Sequence, residues 1–229
     1  MVKKFNITVQ NQSGAAQQYA LVAEKPEVRG GNVSSPIWSS VFATAQAGEG
    51  DTAFFTIENQ YFAILGTSQC RPQDGTNVSV SGTQPVELGS TRSDGTKEPG
   101  TTIGVVASND MLQFSYDHSN PSGQSRAFEL KTKTDFTHDD AQSKNFLIGA
   151  GASLNGRPVP LAAFVPGPNQ QYQIEPKNVF YLVTGQYREG ALVEEESMGY
   201  NRLRVDFGNA RGNNISVTQT PDGRLIIQN

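Results

Sequence analysis

The sequence predicts an all-β protein: two tandem, similar antiparallel β-sandwich units from an internal duplication, with one short helix near their junction. Three observations carry this expectation. Apolar residues recur with period two, the spacing of a half-buried strand. Turn residues interrupt these runs at roughly the 8–12-residue interval of sandwiches and barrels. Five blocks of the first half reappear, in the same order, in the second.

The elements follow from residue order. Phe5, Ile7 and Val9 alternate with Asn6, Thr8 and Gln10, which places one face of a strand in a core. The same alternation marks Tyr19-Leu21-Ala23, Phe55-Ile57, Ile103-Val105, Leu203-Val205-Phe207 and Ile215-Val217. Turn signals include Gly30-Gly31-Asn32 and Asn155-Gly156, and Asp-Gly pairs stand at Asp74-Gly75, Asp94-Gly95 and Asp222-Gly223. An Asp-Gly pair supplies the positive φ angles of a type I′ hairpin, and Asp222-Gly223 lies between two apolar runs that such a hairpin would join. Residues 83–102 read as a long surface excursion with a short strand at Val86 to Leu88, and Asp117 to Gln124 reads as a loop. One segment, Thr134 to Lys144, has an N-cap residue, early acids and a late lysine, and predicts a helix of about two turns that ends before Phe146. Glu194-Glu195-Glu196 is too short to predict one.

The repeat sets the expected domains. Phe5-x-Ile7 matches Phe146-x-Ile148, Tyr19 to Ala23 matches Leu161 to Val165, and Phe55-Thr56-Ile57-Glu58 matches Tyr172-Gln173-Ile174-Glu175. Tyr61 to Leu65 matches Val179 to Val183, and Ile103-x-Val105 matches Ile215-x-Val217. Residues 1–133, with an insertion at 29–51 that includes Trp38, then form one unit and residues 134–229 the other. A cleft between two such units is a preferred place for a ligand.

Composition removes several functions. The chain of 229 residues carries a net charge of -4 with 17% charged residues, so it offers no basic footprint for nucleic acid. The single Cys70 excludes an internal disulfide framework and a Cys-based zinc site. Apolar runs fall far short of the roughly 20 residues of a membrane helix. Lys3 and Lys4 are followed by Asn6, Thr8 and Gln10, which interrupt any signal-peptide core, so the expected location is cytoplasmic. Sequons at Asn6, Asn11, Asn32, Asn77 and Asn214 are then silent.

Familiar catalytic machinery is sparse. The only histidines are His118 and His138, and no Gly-x-Ser-x-Gly or His-Glu-x-x-His occurs. Catalytic residues are therefore not assigned, and neither a metal nor a cofactor is expected. Cys70 beside Arg71 reads as a structural cysteine, and Glu58 and Glu175, matched in the repeat, as carboxylates that close strands.

The opening Phe5-x-Ile7-x-Val9-x-Asn11-x-Ser13-Gly14 resembles the start of small cytosolic fungal β-sandwich proteins of the aegerolysin and fruiting-body lectin type. The resemblance covers about the first 25 residues. It implies a β protein whose loops bind lipid or sugar, and it carries over no site residue.

These readings predict a non-catalytic binding or interaction protein, lectin-like, using loops or an inter-domain cleft. Its partner would be a small molecule, a glycan or another protein. The candidate ligand-binding residues are Trp38, Tyr116, Asp117, His118, Asn120, His138 and Asp139, because sugar sites pair an aromatic face with Asp, Asn or His side chains. Two alternatives stand beside it. One is a cofactor-free isomerase, cyclase or dehydratase with acid and base side chains. The other is a structural or self-assembling protein that forms a homo-oligomer.

Overall fold

Period-two sequence becomes sheet throughout. The computed structural model describes residues 3–33, 36–115, 120–210 and 212–228. In the first half the strands are β1 (Lys4–Asn11), β2 (Gln17–Ala23), β3 (Glu27–Arg29), β4 (Trp38–Ala47), β5 (Thr52–Ser68), β6 (Val78–Val86), β7 (Ser90–Thr91), β8 (Lys97–Glu98), β9 (Thr102–Ser108), β10 (Met111–Phe114) and β11 (Phe128–Thr132). The helix α1 (His138–Ser143) follows. The second half adds β12 (Phe146–Leu154), β13 (Arg157–Phe164), β14 (Gln171–Glu175), β15 (Val179–Thr184), β16 (Leu192–Val193), β17 (Leu203–Asp206), β18 (Asn214–Gln219) and β19 (Leu225–Gln228). A 3-10 turn spans Glu195–Met198, where the acidic triplet gave no helix. No helix among the described residues is long and apolar enough to cross a membrane.

Twelve strands form one sheet, in the order β17-β15-β2-β4-β13-β12-β5-β1-β18-β19, with β16 also on β4 and β6 also on β5. Five more form a second sheet, β10-β9-β11-β14-β3. The large sheet folds back over itself. The Tyr19 hydroxyl of β2 donates to Gln219 Oε1 of β18 at 2.6 Å, and the Phe5 ring of β1 meets Phe207, just past β17, at 4.7 Å. The five-stranded sheet packs on β12 and β13 through edge-on pairs Phe136–Phe146 and Phe164–Tyr172. One continuous core joins both sheets.

The division at 133/134 does not divide the sheets. β1 pairs in parallel with β18, and β2 pairs antiparallel with β15, β4 with β13 and β5 with β12, so pairs of strands from the two sides alternate. Two of the five matched pairs of blocks fall in different sheets. The Phe55-Ile57 block lies in the large sheet and its partner block in β14 of the small one, and β9 and β18 are likewise in different sheets. Residues 29–51 contain β4, a central strand bonded to β2, β13 and β16. Period two encodes which face is buried and not which strand lies alongside, so matched blocks need not share neighbours.

Several local features depart from their sequence patterns for identifiable reasons. β2 is buried on both faces. Tyr19, Leu21 and Ala23 join the main core, and Ala20 and Val22 join a small second core with Val41, Val183, Val193 and Met198. Val86 ends a long edge strand, Val78–Val86, rather than starting one, because the polar run before it pairs with β5. The Asp222-Gly223 hairpin is not type I′. Pro221 fixes the first central φ as negative, Gly223 N–H donates to Thr220 O at 2.8 Å, and only Gly223 has positive φ, +83°. Asn155-Gly156 does adopt the type I′ signs, φ 52° and 81°, between β12 and β13. In β12 all nine residues are buried. A Cβ on Gly149 would lie 2.0 Å from Ala162 O, so the strand is small because β13 approaches it closely.

Candidate functional site

β4 opens with Trp38, in register with Ala163 of β13, while Ser39 next to it pairs with Val193 of β16. Held between two strands, the indole is 5% exposed. Its Nε1–H is buried and has no acceptor among the described residues. Such a donor costs about 1–3 kcal/mol relative to a satisfied one, and native structures carry few of them.

Trp38 lines a recess of about 610 Å³. Four other stretches complete it. Pro36 precedes the strand, Arg71 and Pro72 come from the loop after β5, Val165 ends β13, and Glu194 follows β16. The fifth wall is α1, which contributes Asp139, Gln142 and Ser143. Their i, i+3, i+4 spacing puts these three side chains on one face of the helix, while Ala141 turns into the core.

The walls are held by hydrogen bonds. Thr137 caps α1: its hydroxyl accepts from Asp140 N–H at 3.1 Å, and Asp140 Oδ2 accepts from Thr137 N–H at 2.9 Å. The Thr137 hydroxyl and backbone, then Lys144, hold the Asp140 carboxyl down at about 2. Lys144 also reaches Asp110 at 2.7 Å, which ties the helix to the β9–β10 turn. Across the recess, Asp74 Oδ1 accepts from Glu194 N–H at 2.9 Å and from the Ser197 hydroxyl at 2.8 Å. Gly75 N–H donates to Leu192 O and Leu192 N–H to Thr76 O, both at 2.8 Å. The Arg71 loop is thereby stitched to β16.

The recess chemistry is mixed. Trp38, Pro36, Pro72 and Val165 give an apolar floor and sides. Among the described residues the side chains of Arg71, Asp139 and Glu194 form no ion pair. Free donors and acceptors around an apolar, partly aromatic floor are the makings of a small-molecule site.

The chain matches no protein-family model, no curated protein and no solved structure.

The structure brings two of the sequence-predicted residues together, Trp38 and Asp139. His138, though adjacent to Asp139, lies against the turn after β13, where a Cβ on Gly167 would come within 2.9 Å of its Cε1. Asn120 is exposed and begins the segment that covers the small sheet, where Ser122 donates to the buried carboxylate of Glu129. Tyr116, Asp117 and His118 lie outside the described residues. Among the described residues no three His, Cys, Asp or Glu side chains gather closely enough to hold a metal ion. Sequence reasoning missed Arg71, Pro72, Gln142, Ser143, Val165 and Glu194. Helical spacing from Asp139 points to Gln142 and Ser143; the others reach the recess through long-range loop packing that leaves no local signal.

A larger groove of about 1130 Å³ runs past Tyr61, Arg126, Glu175, Lys177, Asn178 and Asp206. Most of its charged groups are already engaged, Arg126 with Glu175, Lys177 with Glu24, and Asp206 with Arg204, while Glu87 forms no ion pair among the described residues. Burial pushes the Tyr61 phenol up to about 12, and its hydroxyl donates to Asn178 Oδ1. The Trp38 recess combines a buried indole with three charged side chains that form no ion pair among the described residues, and is the better candidate.

Proposed function

We propose that the protein is a binding protein that takes a small, neutral, polar ligand of the sugar type in the Trp38 recess. The single observation that carries this reading is the buried indole N–H, without an acceptor among the described residues, at a recess rimmed by Arg71, Asp139 and Glu194, which form no ion pair among those residues. The aromatic floor suits the apolar face of a sugar ring. The rim supplies both donors and acceptors, and its one cation against two carboxylates disfavours an anionic ligand and suits neutral hydroxyls.

A glycan array combined with thermal-shift screening of mono- and oligosaccharides tests the proposal. The expected result is at least one saccharide that raises the melting temperature, with the shift reduced in Asp139→Asn and Glu194→Gln. A blank array together with no thermal shift across the panel overturns it.

A second reading rests on Asp139 and Glu194 lining the same recess. It takes the protein as a cofactor-free enzyme that uses them as acid and base. Turnover of a bound saccharide, abolished by either substitution, would favour that reading; binding without turnover favours the first.

A further inference from the structure

A second surface, away from the recess, has an unusual composition. The first seven residues of β5 pair with β1, β1 pairs with β18, and β18 with β19, which makes a four-stranded platform. Ile7, Val9, Ala53, Phe55 and Val217 point into the core, so the alternate residues form the outer face. The register sets these in rows. One row is Thr56–Asn6–Asn214, and the next is Phe54–Thr8–Ser216–Gln228. A third runs from Thr52 through Gln10 and Thr218 to Ile226, with Thr218 itself buried.

None of these outward residues is charged. The only charged residues on the four segments, Lys4 and Glu58, stand at one end and pair with each other at 3.3 Å. Exposed sheet faces and edges ordinarily carry Lys and Glu, which keep them solvated and unpaired. Here amides and hydroxyls take their place and are already aligned. The Thr56 hydroxyl donates to Asn6 Oδ1 at 2.9 Å, and Asn6 Nδ2 donates to Asn214 Oδ1 at 2.8 Å. Gln10, Asn214, Ser216 and Gln228 are exposed. In the middle row Phe54 is 69% exposed, an aromatic ring standing on a polar floor.

We propose that this platform lies against the surface of a neutral polysaccharide. Amides and hydroxyls match sugar hydroxyls as both donors and acceptors, Phe54 offers a face for a sugar ring, and the lack of cations disfavours nucleic acid and anionic lipid. A second copy of this chain is the weaker occupant. With rows about 7 Å and strands about 4.8 Å apart, the platform covers roughly 400 Å², about half of the roughly 800 Å² per partner that a stable protein interface buries. The inference is independent of the Trp38 recess.

The test is co-sedimentation of the full chain with insoluble cellulose and chitin, and with pectate as an anionic counterpart. The protein should pellet with at least one neutral polymer and not with pectate. Binding should persist at about 0.5 M salt, where charge interactions are screened within a few ångström. Phe54→Ala and Ser216→Lys, both at exposed positions, should weaken binding roughly tenfold, the scale of one lost ring contact or one misplaced charge. Their melting temperatures should stay at the parent value, and Trp38→Phe should bind the polymer normally. Absence of binding to both neutral polymers, binding that salt removes, or full binding by Phe54→Ala and Ser216→Lys overturns the proposal. So does a dimer in light scattering that Phe54→Ala dissociates, since it assigns the platform to a second copy.

Discussion

Replacing Asn11 by alanine should be among the most damaging single changes at a polar position. Asn11 ends β1 and is fully buried. Its Nδ2 donates to three carbonyls, Ala15 at 2.8 Å, Ala47 at 3.1 Å and Gly48 at 2.9 Å. Its Oδ1 accepts from Ser13 N–H at 3.0 Å and from the Ser13 hydroxyl at 2.7 Å. The side chain thus fastens the β1–β2 turn to the end of β4. Each bond contributes about 0.5–1.5 kcal/mol net, and some of the stranded groups stay buried, so the loss should total about 3–4 kcal/mol. For a domain of this size that lowers the melting temperature by about 10 °C. Asn11→Asp should be no better, since a carboxylate would face three carbonyl oxygens. Urea unfolding and calorimetry give the value. A loss under about 1 kcal/mol would refute the reasoning, because it would mean that these bonds are replaced by water without penalty.

Thr137→Ala removes the N-cap of α1 and should cost about 1 kcal/mol in urea unfolding, and it should weaken saccharide binding at the recess that the helix frames. Gly149→Ala places a Cβ against Ala162 O and should cost about 3 kcal/mol or prevent folding, the upper range for overpacking; a parent-like melting curve would contradict the close approach of β12 and β13. Tyr19 and Tyr61 should ionise at about 12, raised from 10.0 by burial, with Glu49 adding to the shift at Tyr19. Because the fold keeps protons that the unfolded chain releases from about pH 10, stability should fall as pH rises from 10 to 12. Phenolate absorbance checks this, and all tyrosines titrating together near 10 in a folded chain would contradict it.

Much of the local structure was legible in the sequence, and the assembly was not. The alternation at Phe5-Ile7-Val9 and Leu203-Val205 marks real strands because burying one face of a pleat imposes it. The helix was found because capping is local, although the cap is Thr137 and not Thr134. β4 was missed because Trp38–Ala47, WSSVFATAQA, lies between strands on both edges and is buried over most of its length, so period two fades. Pairing across long separations, such as β1 with β18, depends on which edges meet, and no window of sequence holds that information. The same limit applies to the recess. Trp38 and Asp139 were chosen for their chemistry, but Arg71 and Glu194 join them only because Asp74 bonds to the segment after β16.

Trp38 is the only tryptophan, so its emission reports on the recess alone. Titration of the unmodified protein with the saccharide that gives the largest thermal shift tests the central claim directly. The account predicts a saturable change in emission intensity and wavelength as the indole N–H gains an acceptor, at a midpoint that agrees with calorimetric binding and is weakened in Asp139→Asn. Binding detected by calorimetry while Trp38 emission stays constant would contradict it, since the ligand would then sit elsewhere on the protein.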